Sequence, residues 1–201
     1  MSKTRQEQVH RITGETDIFI KLAVDGGGKS KIATGVPFFD HMLTLFAKHA
    51  LFDLEVRAKG DVHVDFHHTV EDTGIVLGQA LAKALGDKKG MVRYGHFLLP
   101  MDETLVRVAL DFSARPLLVW RAPKSFNLNR LKAGDFPAQL TVEFLRAFAQ
   151  EAGLTLHVEV LYSSETHHLI EAVFKGIARA IEQAVRRDPR VRGIPSTKGM
   201  L

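Results

Sequence analysis

Residues 67–86 read HHTVEDTGIVLGQALAKALG, and residues 167–187 read HHLIEAVFKGIARAIEQAVRR. Both open on His-His-x-x-Glu: His67, His68 and Glu71 in the first stretch, His167, His168 and Glu171 in the second. Behind each pair the apolar residues recur at helical spacing. They are Val70, Leu77, Leu81 and Ala84 in one, and Ile170, Val173, Ile177, Ile181 and Ala184 in the other. A stripe of this period buries one face of a helix against a core. Gly86 follows the first stripe, where a residue free to turn left-handed ends a helix.

The likeness extends upstream. His41-Met-Leu-Thr-Leu-Phe46-Ala aligns with Glu143-Phe-Leu-Arg-Ala-Phe148-Ala, and the loop before the second histidine pair is shorter by two residues. Pro37 opens a helical stretch, PFFDHMLTLFAKHA, with Phe39, Met42, Leu43 and Phe46 on one face. Its counterpart runs over 138–152 and stops at Gly153. Strands are expected at 16–24, 51–58, 97–99, 104–112, 117–121 and 154–161. The run DGGG at 25–28 reads as a turn, so 29–34 is expected to return on 16–24 as a hairpin. Residues 61–66 alternate like a strand, 122–137 read as a loop, and so does the tail VRGIPSTKGML. The order β-β-α-β-α thus appears twice, which predicts an internally duplicated α+β fold with mixed sheets packed on helices. The halves divide as 1–90 and 91–201 within one compact two-lobed unit.

Composition bounds the function. The 201 residues are 45% hydrophobic and 25% charged, an ordinary globular mix. There is no cysteine, which excludes disulfides, zinc fingers, thiolate clusters and a thiol nucleophile. No apolar run reaches the roughly 18 residues of a membrane span, and the polar N-terminal stretch argues against a secretory signal. A cytoplasmic protein without a membrane partner is expected. The formal net charge of +4 is mild and scattered, so it suits an anionic small molecule and gives no reason to expect nucleic acid.

The histidine pairs carry the chemistry. On a helix, His67 and Glu71 are four apart and His68 and Glu71 three apart, so they share one surface. Adjacent imidazoles diverge by about 100°, so one helix start addresses two different ions. Imidazole and carboxylate without thiolate suit manganese, iron, cobalt or zinc. His41, with Glu143 at its repeat position, brings the donors to eight: His41, His67, His68, Glu71, Glu143, His167, His168 and Glu171. A single copy would read as a capped helix start with exposed imidazoles; two copies at matched positions favour metal. His10, His49, His63, His96 and His157 lack such surroundings. Gly28-Lys29-Ser30 mimics the end of a phosphate-binding loop, but position 23 is alanine and no helix follows. Arg93, Arg115 and the tail Ser196-Thr197-Lys198 are candidate anion contacts.

The strings GETDIFIKL, PFFDHMLTLFAKHA, HHTVEDTGIVLGQAL, PMDETL, ARP, HHLIEAVFKGIARAI and IPSTKG occur in this order. Together they closely resemble the imidazoleglycerol-phosphate dehydratase family of histidine biosynthesis, over nearly the whole chain. The resemblance implies a hydro-lyase with the duplicated fold of the ribosomal S5 domain 2-like class. It implies two Mn2+ per active site and a 24-subunit shell built from trimers, with active sites between subunits. The metal ligands it implies are the eight residues above. The family's usual ligand at position 143 is histidine, and Glu143 stands there as an oxygen donor. Substrate contacts would fall on Glu15, His41, His67, Arg93, Arg115, His167, Ser196, Thr197 and Lys198. Glu15, Glu71 and Glu171 would serve catalysis. The C-terminal tail is expected to order when substrate binds.

The chemistry of that reaction fits the residues. Water must leave a glycerol chain whose C–H is not acidic, so the imidazole ring has to relay electrons. Metals on the ring nitrogens would favour the imidazolate, which expels hydroxide to give a diazafulvene. A base then takes the proton of the next carbon, for which Glu15 is the candidate. The enol tautomerises to imidazole-acetol phosphate. A two-metal phosphoesterase and a metal-storage shell are the alternatives; the first would release inorganic phosphate and the second would turn over nothing.

Overall fold

The computed structural model describes residues 5–123 and 126–201. The first half runs β1 (Gln6–Ile12), β2 (Thr16–Ala23), β3 (Ser30–Ala33), α1 (Pro37–Ala50), β4 (Asp53–Gly60) and α2 (His67–Leu85). The second runs β5 (Tyr94–Met101), β6 (Thr104–Asp111), β7 (Leu117–Arg121), a short β8–β9 ribbon (Lys132–Ala133 with Phe136–Pro137), α3 (Gln139–Ala152), β10 (Thr155–Tyr162) and α4 (Thr166–Val185). The sheets are ordered β1-β2-β4-β3 and β5-β6-β10-β7. Position for position this is one topology used twice. In each, the last-listed edge strand runs parallel to its neighbour and the other pairings are antiparallel.

Four expectations are corrected. The first half begins β-β-β-α rather than β-β-α, because the polar strand β1 pairs with β2 along its whole length, whereas in the second half β7 is the strand expected at 117–121. β1 is mostly exposed, with Val9 the one buried side chain, so it carries little apolar signal. The expected hairpin does not form: β3 pairs parallel with β4, not with β2. Asp53 accepts the Gly27 and Lys29 backbone N–H groups, both at 2.9 Å, and so fixes the turn beside β4. Residues 61–66 form turns, not a strand, with Val64 N–H closing on the Asp61 carbonyl. The loop expected at 122–137 holds a 3-10 turn (Leu128–Arg130) and the β8–β9 ribbon, and residues 124 and 125 lie outside the described residues.

Alternation decides which sheet face is inward. Ile18, Ile20 and Leu22 on β2, Val106, Val108 and Leu110 on β6, and Leu156, Val158 and Val160 on β10 are buried. The helices fill the space between. They pack across the halves, α1 against α4 and α2 against α3. Phe39 of α1, Phe144 of α3 and Phe174 of α4 meet at this crossing, with Phe144 5.3 Å between ring centres from each of the other two. α2 and α3 approach closely where Gly78 stands: a Cβ there would fall 2.7 Å from the Phe148 carbonyl oxygen. This cross-packing sets the first helix of each half against the histidine-bearing helix of the other.

Candidate metal centre

The first turns of α2 and α4 are held by carboxylates two positions before each histidine pair. Asp65 accepts the His67 backbone N–H at 2.7 Å, and Glu165 accepts that of His168 at 2.7 Å. The adjacent rings stand nearly perpendicular, at 88° for His67 and His68 and 82° for His167 and His168.

On α4, His41 of α1 joins the cluster. The Nε2 atoms of His41 and His167 lie 3.5 and 3.2 Å from the same oxygen of Glu171. The three residues offer donor atoms within 4.8 Å of one another. Phe38 supports the His167 ring edge-on at 5.1 Å between centres. Glu171 is nearly buried, and its other oxygen takes the Lys175 ammonium at 2.6 Å. Burial by itself would lift this carboxyl, but Lys175, aided by His41, holds it below the ordinary glutamate range. Both imidazoles are half exposed, so the cluster opens to solvent.

The α2 cluster is more open. His67 Nε2 lies 3.4 Å from Glu71, and both side chains are 44% exposed. Glu143, on α3, accepts a hydrogen bond from Gln139 at 2.9 Å and pairs with Arg146. Among the described residues it joins no three-donor group, and no such group combines the start of α2 with that of α4.

The second histidine of each pair is gripped at Nδ1. Asp61 binds His68 at 2.9 Å, with Glu15 at 3.8 Å, and Glu103 binds His168 at 3.0 Å. These hydrogen bonds hold both imidazoles above their ordinary pKa range. Asp61, Glu103, Lys175, Asp65 and Glu165 were not singled out from sequence. A signal for one pair existed: Asp65 and Glu165 occupy matching places before the repeated histidines.

The anion contacts divide. Arg93 is largely spent inside the fold: Nε and Nη2 bind Asp111 at 2.6 and 3.0 Å, and Nη1 binds the Pro195 carbonyl at 2.8 Å. It thereby ties the tail to β6. Arg115 is exposed, its backbone N–H on Ser113 and its carbonyl on Thr155. Ser196 accepts the Lys198 backbone N–H at 3.2 Å, and Thr197 and Lys198 are exposed.

Imidazole nitrogen and carboxylate oxygen without thiolate fit a borderline or hard divalent ion. The His41–His167–Glu171 group meets that requirement with atoms already close together. Among the described residues no helix is long and apolar enough to cross a membrane.

Known proteins resemble the chain over its whole length. The family model described as imidazoleglycerol-phosphate dehydratase matches residues 34–181. A protein of that name from Acetivibrio thermocellus is 58% identical over 197 residues, covering 98% of this chain and 99% of its own. Another from Syntrophobacter fumaroxidans is 55% identical over the whole of both chains. The crystal structure of the Staphylococcus aureus dehydratase superposes with a TM-score of 0.80 at 41% identity, over 91% of this chain and 99% of its own. That of the Pyrococcus furiosus enzyme gives 0.79 at 36%, over 96% and 100%.

Proposed function

The chain belongs to the imidazoleglycerol-phosphate dehydratase family, and from that membership we propose how its residues divide the work. The reaction is a hydro-lyase step of histidine biosynthesis: imidazoleglycerol phosphate loses water and becomes imidazole-acetol phosphate. The phosphoesterase and storage readings are not favoured. One observation supports the site assignment: His41, from the first half, and His167 and Glu171, from the second, bring donor atoms within 4.8 Å of one another.

Two Mn2+ ions are proposed, held by His41, His67, His68, Glu71, His167, His168 and Glu171, with Glu143 as the eighth ligand. When bound, such ions withdraw electron density from the substrate's ring nitrogens and favour the anionic ring. Glu15 is more than half exposed, and its carboxylate is free to accept the proton of the carbon that becomes the enol. Lys175 keeps Glu171 ionised and turned toward the two imidazoles. Arg115, Ser196, Thr197 and Lys198 would bind the phosphate, and Arg93 would hold the tail in place for that contact. Because no three-donor group among the described residues joins the two clusters, they are proposed to meet between copies, in a 24-subunit shell built from trimers. A cytoplasmic location is proposed from the pathway.

The test strips the purified protein with a chelator, restores Mn2+ and supplies imidazoleglycerol phosphate. Formation of a ketone with the phosphate retained, dependent on Mn2+, is expected. Release of inorganic phosphate, or undiminished ketone formation by the stripped protein, would overturn the assignment.

A further inference from the structure

The two halves solve one problem with different residues. Glu15 and Glu103 occupy the same place in the repeat, each directly before the buried threonine, Thr16 or Thr104, that starts the second strand of its half. In the first half the loop from β4 to α2 is long enough to present Asp61, which takes His68 Nδ1 at 2.9 Å and leaves Glu15 at 3.8 Å. In the second half β10 ends at Tyr162 and α4 begins at Thr166, so the intervening loop is shorter. Its Ser163 bonds to Thr104 at 2.7 Å and supplies no carboxylate. Glu103 fills the vacancy with both oxygens, at 3.0 and 3.2 Å from His168 Nδ1. It is fixed in turn by Thr104, whose hydroxyl donates to it at 3.0 Å, and by a two-residue turn with Asp102 at φ 48°.

We propose that Glu103 is a positioning residue: by accepting the His168 Nδ1–H it presents Nε2, with its lone pair, as the metal-facing atom. The carboxylate is acceptor-only, so it selects the Nδ1–H tautomer and orients the ring. The shorter loop thus converts the counterpart of Glu15 from an exposed carboxylate to an orienting one. The inference rests on the reading of His168 as a metal ligand.

The experiment is a Mn2+ titration of the assembled protein, followed by the electron paramagnetic resonance signal of the free ion. Glu103→Leu and Glu103→Gln are compared with Glu103→Asp and with His168→Gln. Loss of an orienting partner typically weakens metal binding about 10- to 100-fold. Glu103→Leu is expected to weaken one class of ion to that extent while the other keeps its affinity, which serves as the control for folding. Glu103→Gln, which adds a donor, should fall between, and Glu103→Asp should restore much of the loss. If His168→Gln loses the ion but Glu103→Leu binds both classes as the parent does, the positioning role is overturned and the ligand reading stands. If neither variant loses affinity, the ligand reading itself fails. Uniform weakening of both classes by Glu103→Leu would mark a structural defect and also overturn the proposal.

Discussion

His41 Nε2 and Glu171 Oε2 lie 3.5 Å apart although the residues belong to opposite halves of the chain. The contact exists because α1 packs on α4 rather than on the second helix of its own half. Glu171→Gln should therefore weaken divalent-ion binding by about tenfold or more and reduce turnover with it. Lys175 would lose its charged partner at the same time. Equilibrium dialysis with Mn2+ and a turnover assay check this; parental affinity would remove Glu171 from the ligand set.

The Glu15 carboxylate stands 3.8 Å from His68 Nδ1, beyond ordinary hydrogen-bond reach, and is more than half exposed. Glu15→Gln is expected to lower kcat by about 10²- to 10⁴-fold with ion content unchanged, the usual worth of a general acid or base. Near-normal turnover with intact metal content would assign the proton transfer elsewhere.

Arg93 has φ 79°, an unusual conformation for a residue with a side chain. Its contacts to Asp111 and the Pro195 carbonyl hold it there. Lysine has no bidentate fork to replace them, so Arg93→Lys should speed proteolytic removal of the tail beyond residue 195 and raise KM. Cleavage time courses that coincide for variant and parent, with and without substrate, would show that Arg93 does not tether the tail.

The His49 imidazolium is disfavoured by burial and by the charges of Lys175 and Arg179, so its folded pKa lies below the ordinary 6.5. The unfolded state then binds the proton first, and stability falls as pH drops below about 6.5. His68 and His168 act in the opposite sense. Their raised values stabilise the fold at low pH, and that contribution is lost as pH rises through the folded pKa. Comparing the metal-free parent with His49→Gln cancels those common contributions. Denaturant unfolding at pH 7.5, 6.5 and 5.5 should show the parent losing ground to the variant; a gap that does not change with pH would exclude His49 as the cause.

Gly95 sits on β5 where α4 crosses, and a Cβ there would lie 1.8 Å from the Ala180 carbonyl oxygen. Backbone of a packed helix has little room to retreat, so Gly95→Ala should cost about 3 kcal/mol or prevent soluble expression. A thermal midpoint within 2–3 °C of the parent's, a shift of only about 1 kcal/mol for a chain of this length, would mean that the β5–α4 contact relaxes.

Several features were legible locally. Helices α1, α2, α3 and α4 follow from apolar period and punctuation, and the strands β6 and β10 from alternation, because these elements bury one regular face. The polar strand β1 was not legible, since its stability comes from pairing with β2 and not from its own side chains. The parallel partner of β3 was hidden for a similar reason: a turn read from glycines does not say which strand waits beyond it. At the site, repeated spacing exposed the histidines and glutamates. Asp61 and Glu103 escaped because they reach His68 and His168 from other elements, through space.

The order of residues alone determined the duplication, the donor chemistry and the divergence of neighbouring imidazoles, all of which depend on short-range geometry that the helix repeat dictates. Only the folded chain decided that His41 serves the α4 cluster, that Glu143 is engaged by Gln139 and Arg146, and that Arg93 grips the tail. Those outcomes follow from helices of one half packing on helices of the other, where the balance of apolar burial and close backbone approach, such as that at Gly78, selects partners far apart in the chain.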